Sequence, residues 1–89
     1  MPGDEQSWFL YMVECADGTL YTGVTNDVAR RLDAHNTGRG ARYTRARRPV
    51  RLVYLDEQAS RSEALRREHA LKRLPRAEKE AMADDDVGR

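Results

Sequence analysis

The sequence predicts an α+β domain built on a three-stranded antiparallel sheet flanked by helices, in the order β-β-α-β-α-α. Three observations predict it. The stretch "WFLYMVECADGTLYTG", residues 8 to 23, is aromatic and β-branched on both sides of "ADG", which supplies turn chemistry, so it reads as a hairpin. A further run of strand-forming residues, "VRLVYLDE", follows Pro49. Stretches with helical spacing and capping residues follow the hairpin and the third strand, and helices in those places pack on an antiparallel sheet.

Taken in order, the hairpin strands span residues 8 to 15 and 19 to 25, and the loop length decides whether Tyr11 and Tyr21 share a face. A two-residue loop at Asp17-Gly18 sets Tyr21 opposite Glu14 and parts the two rings. A three-residue loop with Gly18 in the left-handed position of a bulge sets Tyr21 opposite Val13 and Tyr11 opposite Gly23, and both tyrosines then face the same way. A five-residue loop has the same parity. In either of those cases Gly23 leaves an open patch beside the Tyr11 ring. Aromatic residues are ordinary in strands, so each ring alone also fits a packing role.

"TNDVARRLDAHN" is a helix with Asn26 or Thr25 as its cap, ending near Asn36 to Gly38. Val28, Leu32 and His35 define one face. Arg31 shares that face, while Arg30 is rotated about 100° away. His35 suits either a general base or a cation at the helix C-terminus. "TGRGARYTRARRP" is too rich in glycine and arginine for regular structure and is expected to be an exposed loop. "SRSEALRREHALKRL" opens on the capping pair Ser60 and Glu63 and continues to Leu74. Its apolar stripe is Ala64, Leu65, Leu71 and Leu74, and Glu68 falls inside it. A carboxylate on a buried stripe is costly unless it meets a cation, a metal ion or water, and an i, i+4 pair with Lys72 is the simplest partner. Pro75 opens a short last helix, "PRAEKEAMA". The expected organisation is a disordered segment at 1–7, one domain at 8–83 and an acidic disordered tail at 84–89.

A chain of 89 residues suits a single domain. No apolar run approaches the roughly 18 residues of a membrane span, and "MPGDEQS" lacks a basic signal-type start, so a cytoplasmic protein without membrane contact is expected. Cys15 is the only cysteine, which excludes an internal disulfide and a cysteine metal cluster. The net charge of +1 conceals a cation block: Arg30, Arg31, Arg39, Arg42, Arg45, Arg47, Arg48 and Arg51 stand against Asp33 alone. Guanidinium forks match phosphate oxygens, which points to nucleic acid or another polyanion. The expected nucleic-acid-binding residues are Arg30, Arg39, Arg42, Arg45, Arg47, Arg48 and Lys72, with Tyr43 placed to stack on an unpaired base.

On "FLY" (Phe9 to Tyr11), "YTG" (Tyr21 to Gly23), "DVARRLDAH" with Arg31, and "ALRREHALK" with Glu68, the chain resembles the GIY-YIG nuclease superfamily, in particular its small single-domain bacterial branch of UPF0213 type. The order of these motifs and the spacing of ten from Tyr11 to Tyr21 and from Tyr21 to Arg31 make the combination specific. Phe9 and Leu10 replace the glycine and isoleucine of the first tripeptide. The resemblance implies the GIY-YIG endonuclease fold and a divalent-metal-dependent endonuclease hydrolysing DNA phosphodiesters, structure-selective or weakly specific, in DNA repair or processing. It implies that Glu68 holds one Mg²⁺ or Mn²⁺, that Tyr21 deprotonates or orients the attacking water with Tyr11 assisting, and that Arg31 clamps the scissile phosphate, with His35 as relay or second base. Single-stranded, branched or duplex DNA is the expected partner, and RNA and a protein partner stay open. Two alternatives remain: a non-catalytic nucleic-acid-binding module, and a protein-interaction module that needs a partner.

Overall fold

The computed structural model describes residues 7–87. Its elements are β1 (Trp8–Glu14), β2 (Leu20–Thr25), α1 (Val28–Asn36), α2 (Arg42–Arg45), β3 (Arg51–Gln58), α3 (Arg61–Lys72) and α4 (Arg76–Val87). The strands form one antiparallel sheet in the order β2-β1-β3. β1 is therefore central and buried on both faces, which is why its sequence is almost continuously apolar.

The hairpin loop is Ala16-Asp17-Gly18. Cys15 N–H donates to Thr19 O at 2.8 Å, Gly18 N–H donates to Cys15 O at 2.9 Å, and Gly18 takes a φ of +85°, where a glycine is needed. Asp17 holds the turn by accepting from the Thr19 backbone N–H and hydroxyl. The resulting register pairs Tyr11 with Gly23 and Val13 with Tyr21, so both tyrosines point to one face.

Each sheet face has its own core. On one, Leu10, Met12 and Val53 pack with Leu71 of α3 and Ala83 of α4. On the other, Tyr11, Val13, Cys15 and Val50 pack with Tyr21, Leu52 and Leu32 of α1. Complete burial of Leu10, Met12 and Leu71 contributes about 1.5–3 kcal/mol apiece.

Several local features differ from expectation. The α1 cap is Asp27, whose carboxylate accepts from Arg30 N–H at 3.1 Å, because Thr25 is occupied one turn-step earlier in accepting from Asp27 N–H. The segment expected to be irregular contains α2, whose first turn closes when Thr44 and Arg45 N–H groups donate to Ala41 O. α3 is capped by Ser60 as expected, with Glu63 N–H on its hydroxyl, but leaves α geometry at Lys72; Arg73 and Leu74 close tighter bonds to Ala70 and Leu71. α4 runs on through residues 84–87, past the expected domain boundary at 83. The rest of the expected tail, residues 88–89, and residues 1–6 of the expected N-terminal segment lie outside the described residues. Among the described residues no helix is long and apolar enough to cross a membrane.

Candidate active site

Tyr11 of β1, Tyr21 of β2, Arg31 of α1 and Glu68 of α3 line one cavity of about 440 Å³. Four elements thus deliver four of the five side chains expected to be catalytic, and the fifth, His35, does not line the cavity. Trp8, Arg61 and Leu65 also line it, as does the end of β2 from Gly23 to Thr25.

Tyr11 is the most constrained of the four, being only 2% exposed. Its ring lies over Gly23: a Cβ there would sit 2.5 Å from the hydroxyl. The patch beside the ring that the sequence suggested would be open is therefore filled by the ring itself. The Tyr11 hydroxyl is 2.8 Å from His35 Nε2 and receives a bond from Arg31 Nε at 3.3 Å. His35, fully buried at the end of α1, has its Nδ1 2.8 Å from Thr44 Oγ1. The Thr44 hydroxyl proton is committed to Ala41 O at 3.0 Å, so the Thr44 oxygen accepts from His35 Nδ1–H. That fixes the tautomer. Nε2 is left as an acceptor, and the chain of donors reads Arg31 to Tyr11 to His35 to Thr44 to Ala41. Gly40 packs against the imidazole so closely that a side chain would collide with its Nδ1 and with the His35 Cα.

The electrostatics follow from burial. Desolvation raises the Tyr11 pKa above 10.0 even though the Arg31 hydrogen bond and charge work to lower it. His35 is pushed below 6.5, chiefly by burial and secondarily by the Arg31 charge, so it is neutral at pH 7. Arg31, hydrogen-bonded to Tyr11 and also to Tyr21, is raised above the ordinary guanidinium value and keeps its proton.

Glu68 satisfies both readings of its place in the helix. Its side chain, 19% exposed, pairs with Lys72 Nζ at 3.3 Å while lining the cavity. Among the described residues no group of three histidine, cysteine, aspartate or glutamate side chains is placed to hold a metal ion. A single carboxylate beside phenol oxygens in a polar cavity is too sparse for zinc, but it suits Mg²⁺ or Mn²⁺, which keep several waters and draw further oxygens from a substrate phosphate.

The remaining cationic residues lie in different settings. Arg30, exposed on α1, lines with Arg31 an adjoining cavity of about 360 Å³. Arg39 pairs with Asp33 at 3.5 Å, Arg42 and Arg45 are exposed on α2, and Arg48 Nε donates to Arg45 O. Arg47 is bound to Asp17 at 3.1 Å and lies 4.0 Å from the centre of the Tyr43 ring. That ring, expected to stack on a base, is itself stacked on Tyr21, with centres 6.0 Å apart and planes 20° apart. Sequence reasoning passed over Trp8, Arg61, Gly40 and Thr44. Thr44 carried no signal, because its role depends on a contact with His35 made only in three dimensions.

Comparison with known proteins agrees with this fold. Residues 7–81 match the GIY-YIG catalytic domain. A UPF0213 protein of Desulfotalea psychrophila is 54% identical over 80 residues, 89% of this chain and 73% of that protein. A UPF0213 protein of Halobacterium salinarum is 55% identical over 73 residues, 82% of this chain and 95% of that one. Among solved structures, the solution NMR structure of a UPF0213 protein from Bacillus halodurans superposes with a TM-score of 0.59 at 44% identity, covering 92% of this chain and 87% of that chain.

Proposed function

The chain belongs to the GIY-YIG catalytic-domain family, and from that premise we propose that it is a divalent-metal-dependent endonuclease that hydrolyses DNA phosphodiester bonds in DNA repair or processing. One observation carries the reading: two phenols, a guanidinium and a carboxylate from four elements converge on one cavity.

Hydrolysis of a phosphodiester needs an oriented water, neutralisation of charge on the equatorial oxygens and help for the leaving oxygen. Bound at Glu68, Mg²⁺ or Mn²⁺ supplies Lewis-acid polarisation of the ester. Arg31, already donating into the phenols, is the group that holds a phosphate oxygen. Tyr21 is half-buried and faces the cavity, so it can take or orient the proton of the attacking water. His35 has no exposure, so it reaches the reaction only through Tyr11, whose proton points at its Nε2. It is a positioning residue and a proton acceptor for Tyr11, which leaves the direct role to Tyr21. Arg30, Arg42 and Arg45 offer exposed charge to the sugar-phosphate backbone, with affinity that falls steeply as salt rises.

Purified protein is assayed with Mg²⁺ or Mn²⁺ on duplex, flap, junction and single-stranded DNA beside Tyr21→Phe, Arg31→Ala and Glu68→Gln proteins whose folding is checked by circular dichroism. The reading expects metal-stimulated cleavage that each substitution removes. Equal background in all four proteins rejects it. Salt-dependent DNA binding that survives Glu68→Gln with no cleavage to lose identifies a binding module instead.

A further inference from the structure

The rim of the cavity on the Glu68 side has a composition that phosphate chemistry does not require. Trp8, the first residue of β1, is half-buried and lines the cavity. Leu65, three residues before Glu68 on α3, is 37% exposed on the same wall. Arg61, one turn earlier, also lines it and lies with its guanidinium 5.8 Å from the centre of the Trp8 ring. An indole, a branched aliphatic side chain and a planar cation thus form a shelf next to the polar centre. The cavity's other aromatic groups are engaged elsewhere: Tyr11 is buried in the Arg31–His35 chain, and Tyr21 is stacked on Tyr43.

We infer that the Trp8, Leu65 and Arg61 shelf is a binding site for an unpaired nucleobase next to the phosphodiester held by Arg31, which makes single-stranded or splayed nucleic acid the substrate class. This rests on the proposed nuclease reading for the position of the phosphate. Indole faces and guanidinium planes are the side-chain surfaces on which bases stack without sequence preference. The Arg61 guanidinium is at the outer limit of contact with the indole, on an exposed side chain that can ride above an entering base. A base inside a duplex is already stacked and paired, and presenting it to this shelf requires its extrusion. An unpaired base meets no such cost. The cavity, at about 440 Å³, is of the size that encloses a small organic ligand.

Trp8 is the only tryptophan in the chain, so its emission reports on the shelf directly. The test titrates the full chain in chelator with oligo(dT), oligo(U), a hairpin duplex of matched charge and inorganic polyphosphate. Quenching by oligo(dT), with or without oligo(U), and not by duplex or polyphosphate is expected, the two oligomers separating deoxyribose from ribose sources of the same base chemistry. Measured by polarisation of a labelled oligomer, Trp8→Ala weakens single-strand binding about tenfold, while Trp8→Phe, which keeps a stacking face, stays within about threefold of the parent. Oligomer binding that leaves Trp8 emission unchanged, equal quenching by duplex, or equal affinity of Trp8→Ala and parent overturns the inference. If Trp8→Ala fails to fold, the quenching and the Trp8→Phe protein decide it. Quenching without metal-stimulated cleavage upholds the shelf and removes the nuclease; cleavage without quenching does the reverse.

Discussion

The Tyr11 hydroxyl meets His35 Nε2 at 2.8 Å inside the core, tying the central strand to the last turn of α1. Because Thr44 Oγ1 accepts from the N–H on the other ring nitrogen, His35 holds Tyr11 in one orientation, with its oxygen open to Arg31. The bond therefore serves stability and the site at once.

That arrangement makes stability depend on pH in a definite direction. His35 is held below 6.5 in the fold by burial and by Arg31, whereas the unfolded chain protonates near its ordinary value. Above that value both states are neutral and nothing is lost. As pH falls through 6.5 the unfolded state gains a proton that the native state refuses, so stability drops and keeps dropping until the folded pKa is reached. Thermal melts between about pH 5 and 8 should show a falling Tm on the acid side. His35→Ala should flatten that part of the curve while costing about 3 kcal/mol near neutral pH, since it leaves Tyr11 and Thr44 without their buried partner. An unchanged acid slope in the variant would assign the pH dependence to other groups.

Gly23 offers a second check on the same geometry. A Cβ at this position meets the Tyr11 hydroxyl at 2.5 Å and the ring at 2.6 Å, and the ring cannot swing away without breaking its bonds to His35 and Arg31. Gly23→Ala should destabilise by about 1–3 kcal/mol through overpacking. Adding Tyr11→Ala to that variant should cost far less than Tyr11→Ala does alone, because the clash disappears with the ring. Denaturant midpoints of the four proteins close the cycle, and simple additivity would contradict the contact.

Much of this was legible in the chain, for physical reasons that differ by residue. The shared face of Tyr11 and Tyr21 was one of the registers that strand alternation allowed, and the three-residue loop closed on Gly18 selects it. Glu68 stood out because a carboxylate interrupts the stripe from Ala64 to Leu71, and periodicity is a local signal too. α2 was hidden because one turn closed on Ala41 has no apolar period; what holds it is Thr44 against His35, nine residues earlier. Tyr43 is exposed, as its segment was expected to be, but its partners Tyr21 and Arg47, and the Asp17 carboxylate that anchors Arg47, had no signal in the sequence because only the fold brings them together. The α1 cap slipped by a residue because Thr25, Asn26 and Asp27 are all capping types, and only the turn geometry chooses among them.

The place of Tyr43 changes what its substitution should do. As a stacking platform for DNA it would act on binding, and its loss would raise KM. Packed on Tyr21 under Arg47, it instead fixes the ring proposed to handle the attacking water. Tyr43→Ala should therefore lower kcat about two- to tenfold, the equivalent of one aromatic pair, with KM nearly unchanged. Tyr43→Phe should be close to silent. Steady-state kinetics on a single-stranded substrate separates the two roles, and a rise in KM at constant kcat would return Tyr43 to the DNA surface.

Lys72 poses the sharpest question about Glu68. Its ammonium lies 3.3 Å from the Glu68 carboxylate, but its own side chain is 53% exposed and the pair is a single i, i+4 contact, worth about 0.3–0.5 kcal/mol after screening. A divalent cation arriving at Glu68 must displace that ammonium or share the carboxylate with it. Lys72→Met keeps the aliphatic stem and removes the competitor, so Mn²⁺ should bind about twofold more tightly while the helix loses a few tenths of a kcal/mol. The measurement is a Mn²⁺ titration followed by electron paramagnetic resonance on parent, Lys72→Met and Glu68→Gln proteins without DNA, in which Glu68→Gln should lose the bound ion. Weaker Mn²⁺ binding in Lys72→Met, or undiminished binding in Glu68→Gln, would mean that the ion is held elsewhere. Glu68 would then belong to the helix as a structural ion pair.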